Sequence, residues 1–153
     1  MSTAPVPVSP PVAPPPVAPP PVHASVRLWL AASAAGAAEA LVWLLLPEPP
    51  TLAQLGVRFA IYTGLAVLVL ALYTGRNAVR WAVAALLGGI GTLSLVVEPV
   101  SWLAAGGDPI AFLTAADGPT LVVTALRVLH IAAVLTALTL MFRPESARFF
   151  TRR

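Results

Sequence analysis

Five ionisable side chains lie inside or at the edge of long apolar stretches of the chain: Glu39, Arg58, Glu98, Arg127 and His130. Stretches of this kind are typical of membrane spans, where a charged group is costly unless it is paired, wetted or used. Arg127 and His130 are three residues apart, so they project from one helical face. These five residues form a candidate intramembrane polar cluster.

Comparing depths within the apolar stretches predicts which members of the cluster pair. Glu39 lies seven residues before the end of the first stretch, and Arg127 lies seven residues after the start of the last. At 1.5 Å per residue both are about 10 Å deep, and Arg58 is at a similar depth in the second stretch. Because Glu98 is nearer the same boundary, two ion pairs are predicted, Glu39–Arg127 and Arg58–Glu98.

Two interpretations of this cluster remain open. Ion pairs within a membrane can lock helices in register with little net stabilisation, which is a structural role. Ionisable groups within spans are also candidates for a proton relay or a polar substrate site. His130 adds to the second interpretation, because an imidazole changes charge near neutral pH.

The apolar stretches themselves predict the fold class. Hydrophobic residues make up 58% of the chain and charged residues 10%, whereas a soluble domain is about 25% charged. Residues 120–141 would form a helix about 33 Å long, enough to cross a hydrocarbon core of roughly 30 Å. Similar helices are predicted over about 26–46, 52–73 and 78–98. We therefore expect an all-α, four-span transmembrane helix bundle.

The two ends of the chain differ from the predicted transmembrane domain at 25–142. Residues 1–22 hold ten of the seventeen prolines, so we expect residues 1–24 to be a disordered, proline-rich cytoplasmic tail. Its PxxP spacings could bind a partner with an aromatic groove. Residues 143–153 carry four arginines and are predicted to be a basic cytoplasmic tail.

Short motifs mark the connections between the spans. Residues 51–54 (TLAQ) are typical of a capping box, and Asn77 is predicted to cap the third span. Asp108 and Pro109 predict the start of a short surface helix, and the third span is expected to end before Pro99. Small residues at four-residue spacing predict close helix contacts in two places: Ala32, Gly36 and Ala40; Ala84, Gly88 and Thr92.

Charge and aromatic residues predict the orientation. The arginines outside the cluster would all lie on one side of the membrane: Arg27, Arg76, Arg80, Arg143, Arg148, Arg152 and Arg153. The opposite loops hold only acidic charges: Glu48, Asp108 and Asp117. The positive-inside rule then predicts a multi-pass protein of a bacterial plasma membrane with both termini in the cytoplasm. Aromatic residues predict two interfacial belts, an inner one (Trp29, Tyr73, Trp81 and Phe142) and an outer one (Trp43 and Trp102).

Composition excludes several classes of chemistry. The chain has no cysteine, which excludes disulfides and thiol catalysis. It has no HExxH pair and no glycine-rich phosphate loop, so we expect no catalytic residue, no metal site and no cofactor. The charge of +3 comes from scattered arginines, so a nucleic-acid partner is not expected.

Three segments carry a resemblance to a known group: residues 75–81 (GRNAVRW), residues 91–99 (GTLSLVVEP), and residues 127–144 with RVLH at their start and MFRP at their end. Over about residues 24–153 the chain resembles small four-helix integral membrane proteins of actinobacteria. That group typically has Trp-Ala-Arg before its third helix, whereas here Arg80 precedes Trp81. Because the group has no established activity, the resemblance implies topology and membrane placement but no substrate.

Taken together, these patterns predict a non-enzymatic accessory or structural membrane component in contact with the lipid bilayer. A homo-oligomer or a larger membrane complex is its expected assembly. One alternative is a small proton-coupled transporter that uses the Glu/Arg/His cluster. Another is a membrane scaffold that recruits a partner through the proline-rich tail.

Overall fold

The computed structural model describes residues 17–151, and within that range the chain is helical with no strand. Residues 1–16, with most of the proline-rich repeat, and Arg152 and Arg153 lie outside the described residues. The predictions of a disordered tail and of its partner therefore stay predictions for those residues. Four helical segments in the described range are long and apolar enough to cross a membrane: Pro20–Leu45, Leu52–Thr74, Asn77–Ala104 and Gly118–Met141.

Seven α-helices make up the described chain: α1 (Pro20–Val42), α2 (Leu52–Leu70), α3 (Asn77–Val83), α4 (Thr92–Ala104), α5 (Pro109–Ala115), α6 (Gly118–Met141) and α7 (Pro144–Thr151). Short 3₁₀ turns extend two of them, Trp43–Leu45 after α1 and Ala71–Thr74 after α2. A π-helical segment, Ala84–Gly91, joins α3 to α4. The third span is thus α3, the π segment and α4 in succession.

Helix α1 begins at Pro20 and not near residue 26, so residues 20–24 are helical and the predicted tail boundary at residue 24 is wrong. Pro20 and Pro21 occupy its first turn, where a missing N–H removes no intrahelical bond and the fixed φ suits a helix. Val22 and Val26 are both buried against the rest of the bundle. That burial favours helix over an extended proline-rich conformation.

The third span continues through Pro99 to Ala104, so its predicted end near Glu98 is wrong. A proline inside a helix removes one backbone hydrogen bond and usually ends the helix in water. Within a membrane span a proline is better tolerated, because neighbouring groups satisfy the freed backbone. Glu98 and Trp102 therefore both lie on helix α4.

Helix α1 lies at the centre of the bundle and packs mainly against α6 and then against α2. The Ser25 hydroxyl donates to the Ala137 carbonyl of α6 at 2.9 Å. Gly36 allows α2 to approach, since a Cβ there would lie 2.9 Å from the Tyr62 hydroxyl. Gly88 serves the contact with α6, where a Cβ would lie 3.0 Å from Leu138. These positions confirm a close contact at each of the two predicted small-residue stripes.

The outward faces of the spans are apolar and exposed. Ile90, Leu93 and Val128 are each more than half exposed, and comparable side chains occur on every span. Contiguous apolar surface of this extent is rare on soluble monomers, because water disfavours it. The bundle thus has the surface that a lipid environment requires.

The predicted basic tail at residues 143–153 contains a helix, α7, that packs against the bundle. Phe149 and Phe150 are buried, and Gly75, at φ 69°, has room only for a hydrogen beside the Phe149 ring. The Arg80 guanidinium lies 4.1 Å from the ring centre of Phe142 and 5.5 Å from that of Phe150. Residues 144–151 are therefore folded against the end of the bundle that carries the arginines.

The helix caps follow the sequence at two of the three predicted positions. Thr51 and Gln54 form the predicted capping box, and Asp108 accepts from the Ile110 N–H at 2.8 Å to start α5. Hydrogen bonding with Thr120 makes Asp117 the cap of α6 and lowers the pKa of its carboxyl below the ordinary value. The prediction for Asn77 is wrong, because Arg76 occupies the cap position and makes no side-chain cap bond.

Candidate functional site

Three spans meet at one guanidinium group. Arg127 on α6 donates from Nη2 to Glu39 Oε1 on α1 at 2.9 Å and from Nη1 to Glu98 Oε2 on α4 at 3.1 Å. We call these three residues the charge clamp. The predicted pair Glu39–Arg127 is therefore present, and it has a third member.

Glu39 lies in a buried stretch of α1. Gly36, about one turn before it, and Ala40, next to it, are buried as well. Trp43, one turn further on, donates a long hydrogen bond of 3.5 Å from its indole N–H to Glu39 Oε1. The Glu39 carboxylate thus accepts hydrogen bonds from Trp43 of its own helix and from Arg127 of α6.

The three side chains of the clamp differ sharply in exposure. The side chain of Glu39 is 9% exposed and that of Arg127 is 22% exposed, whereas that of Glu98 is 76% exposed. Two carboxylates share one guanidinium, and Glu98 is the more weakly held of the two because it is the more exposed. It lies in a wide apolar groove of about 720 Å³ whose lining includes Trp102, Phe112 and Arg127.

The predicted pair Arg58–Glu98 is wrong, since Glu98 bonds Arg127 and Arg58 forms no ion pair within residues 17–151. The reason lies in the π-helical segment Ala84–Gly91, which has more residues per turn than an α-helix. It rotates every later residue of the third span relative to α3. Glu98 consequently faces α6, and Arg58 is left on α2.

His130 lies one turn along α6 from Arg127 but does not join the clamp. Its ring is half-buried, and Nδ1 has no hydrogen-bond partner among the described residues. It lines a separate cavity that is partly open at the surface and also has Arg58 in its wall. The five predicted cluster residues therefore divide into two groups, the clamp on one side and Arg58 with His130 on the other.

The cavity has a volume of about 210 Å³ and lies between α1, α2, α6 and the third span. Trp29 and Tyr62 line it, and neither was predicted as a site residue. Trp29 was assigned to the inner aromatic belt, but it is fully buried and the assignment is wrong. A sequence signal existed for both: Trp29 shares a helical face with Ala32 and Gly36, and Tyr62 follows Arg58 by four residues.

The described residues offer limited chemistry for a reaction. Within residues 17–151 no group of three or more histidine, aspartate or glutamate side chains could hold a metal ion. Protein-family models, curated proteins and solved structures were compared with the chain, and none matches. The resemblance to small actinobacterial membrane proteins therefore stays a prediction.

Proposed function

We propose that the protein is a multi-spanning integral membrane protein that acts as a structural or accessory component and is not an enzyme. The observation that carries this proposal is the bidentate use of Arg127 by carboxylates on two other spans. A cation satisfied by two acids on different helices is suited to holding helices together. The resemblance to small four-helix membrane proteins supports the same topology.

Energetics favour this role for the clamp. An unpaired charged residue costs roughly 2.5–3.5 kcal/mol at the centre of a span. Pairing offsets much of that cost and fixes which faces of α1, α4 and α6 meet. Loss of one member of the clamp should therefore impair assembly of the bundle directly, and any effect on transport or binding would be secondary.

We propose a bacterial plasma membrane location with both termini in the cytoplasm. His23 contacts Tyr73 at 3.2 Å, and Arg80 contacts Phe142, so the start of α1, the α2–α3 turn and the end of α6 share one end of the bundle. The exposed Arg76 lies in that turn, and the exposed Arg148 lies on α7, which follows α6 and packs at the same end. The positive-inside rule supports a cytoplasmic position for that end.

Reporter fusions test this orientation. Alkaline phosphatase fused after Gly107 should be active, and the same reporter fused at the C-terminus should be inactive, because the enzyme needs the exterior to fold. Green fluorescent protein should give the reverse pattern, and a fusion at Gly75 serves as a second cytoplasmic control. Fluorescence from the Gly107 fusion, with phosphatase activity at Gly75, would contradict the orientation.

A proton-coupled transporter is the second candidate, and the deep position of Glu39 favours it. Pairing with Arg127 argues against it, because a proton carrier must release its counter-ion in every cycle. In vesicles containing a pH-sensitive dye, we expect a potassium diffusion potential to drive no more proton entry with the protein than without it. Proton entry that the parent supports and Glu39→Gln abolishes, at equal folded yield, would support transport and overturn the structural role.

A further inference from the structure

The cavity lined by Arg58 and His130 has one polar end and one apolar end. Arg58, Ser94 and His130 lie toward the end nearer the clamp, and the helix directions put Leu65, Leu86 and Val134 at the other. The volume of about 210 Å³ exceeds the roughly 150 Å³ that accommodates benzene in a protein core. A ligand of about the size of benzoate would fit.

The wall of this cavity is rich in hydrogen-bond donors. Trp29 is 0% exposed, and its indole N–H has no partner among the described residues; His130 Nδ1 likewise has none. Burying the Trp29 N–H without a partner costs free energy, so an acceptor bound beside it would be stabilised. Both residues line the cavity, which is where an acceptor has room.

The charge of the wall points to an anion. Arg58 carries a positive charge and has no carboxylate within 4.0 Å in the described chain, although Glu48 shares an adjoining open groove with it. None of the described residues that line the cavity is acidic. The Ser33 and Ser94 hydroxyls already donate their hydrogens to backbone carbonyls, so neither is free to donate to a bound carboxylate.

The backbone supplies a further indication. Leu86, Leu87 and Gly91 of the π-helical segment form part of the wall. Single-turn π segments recur at functional sites, since they interrupt regular packing and leave room beside a helix. Here the segment shares the wall of the cavity with Arg58 and Tyr62 of α2.

We infer that this cavity binds a small organic carboxylate, with its carboxylate group toward Arg58 and its apolar part toward Leu65 and Leu86. Such acids are anions at neutral pH, which suits an uncompensated guanidinium. The Tyr62 hydroxyl would serve as an additional donor. The inference goes beyond the structural role of the clamp and needs only the folded bundle.

Binding can be tested with benzoate as the probe and benzamide as its neutral counterpart of nearly the same shape. The full chain would carry Trp43→Phe, Trp81→Phe and Trp102→Phe, which leaves Trp29 as the fluorophore, since the chain has four tryptophans. We expect saturable quenching or a spectral shift with benzoate in detergent. Benzamide should bind at least about tenfold more weakly, because it lacks the charge that Arg58 answers.

Matched variants separate specific binding from non-specific partitioning. Arg58→Gln should weaken benzoate binding about tenfold, whereas Arg76→Gln, which removes the same charge from the opposite end, should leave it unchanged. Arg58 is exposed, so its substitution leaves the fold intact for this comparison. Tyr62→Phe should weaken binding about threefold by removing one donor hydroxyl.

Three results would overturn the inference: no saturable benzoate binding, equal binding of benzoate and benzamide, or equal affinity in the parent and Arg58→Gln. The first would mean that the cavity holds only water. The Trp43→Phe background removes one hydrogen bond to Glu39 of the clamp, and because all of these measurements share that background, it does not produce a difference between them. Equally, loss of stability in clamp variants would say nothing about benzoate, so the two proposals fail separately.

Discussion

Replacing Arg127 by methionine should lower the free energy of unfolding of the bundle by about 3–5 kcal/mol, the range found when one member of a buried ion pair is removed. The variant leaves the Glu39 carboxylate, which is 9% exposed, without its counter-ion. It also frees α4 from α6, because the same guanidinium holds Glu98. The measurement is helix content followed by circular dichroism during titration of detergent-solubilised protein with sodium dodecyl sulfate.

The double variant distinguishes a pair from two independent residues. Glu39→Gln together with Arg127→Met should be more stable than Arg127→Met alone, because no uncompensated charge then remains in the interior. Glu98→Gln is the matched control. Its carboxylate is 76% exposed, so its loss should cost less than about 1 kcal/mol in detergent. If all four proteins unfold at the same point, the clamp has no structural role.

The existence of four spans could be predicted from hydropathy alone, because each apolar run is long enough to cross lipid. Their ends could not be predicted as well. Proline-rich composition was expected to keep residues 1–24 out of a helix, and Pro99 was taken as the end of the third span, yet Pro20 lies in a first turn and Pro99 within α4. In a bundle with apolar neighbours on every side, a lost N–H bond is a weaker stop signal than it is in water.

Depth within the spans was enough to predict the Glu39–Arg127 pair. The partner of Glu98 was decided by the rotation of its helix, which depth does not report. Glu39 and Arg127 lie at matching heights on two regular helices, so the estimate from 1.5 Å per residue held. Glu98 follows the π-helical segment, and the sequence AALLGGIG gives no signal that such a segment forms there. The prediction that paired Glu98 with Arg58 compared depths alone and took no account of the direction in which each side chain faces.

The cavity was not predictable for a related reason. Its wall combines residues from four spans. Trp29 was interpreted from its position on its own helix, as an interfacial aromatic, and no role was predicted for Tyr62. Their juxtaposition depends on the close approach of α2 to α1 at Gly36. Four-residue spacing indicated that close approach but not the partner helix.

Phe150→Ala should destabilise the described bundle by about 3 kcal/mol, a typical cost of removing a large buried aromatic side chain. Phe150 is 1% exposed, packs edge-on against Phe149, and lies below the Arg80 guanidinium. Without it α7 should detach, because Ser146 and Phe149 would be the buried side chains left in this eight-residue helix, and a short isolated helix is unstable in water. Limited proteolysis with trypsin should then cleave after Arg148, with the bundle left whole.

Phe59→Ala is the appropriate control, because Phe59 lies on the exposed face of α2 and its loss should cost less than about 1 kcal/mol. If residues 144–151 were a solvated basic tail, as charge alone suggested, Phe150→Ala and Phe59→Ala would behave alike and the arginines would be cleaved equally fast in the parent. Protection of Arg148 in the parent and its loss in Phe150→Ala is therefore the decisive comparison. It tests whether α7 docks through Phe149 and Phe150, which the prediction of a basic tail from its arginines did not take into account.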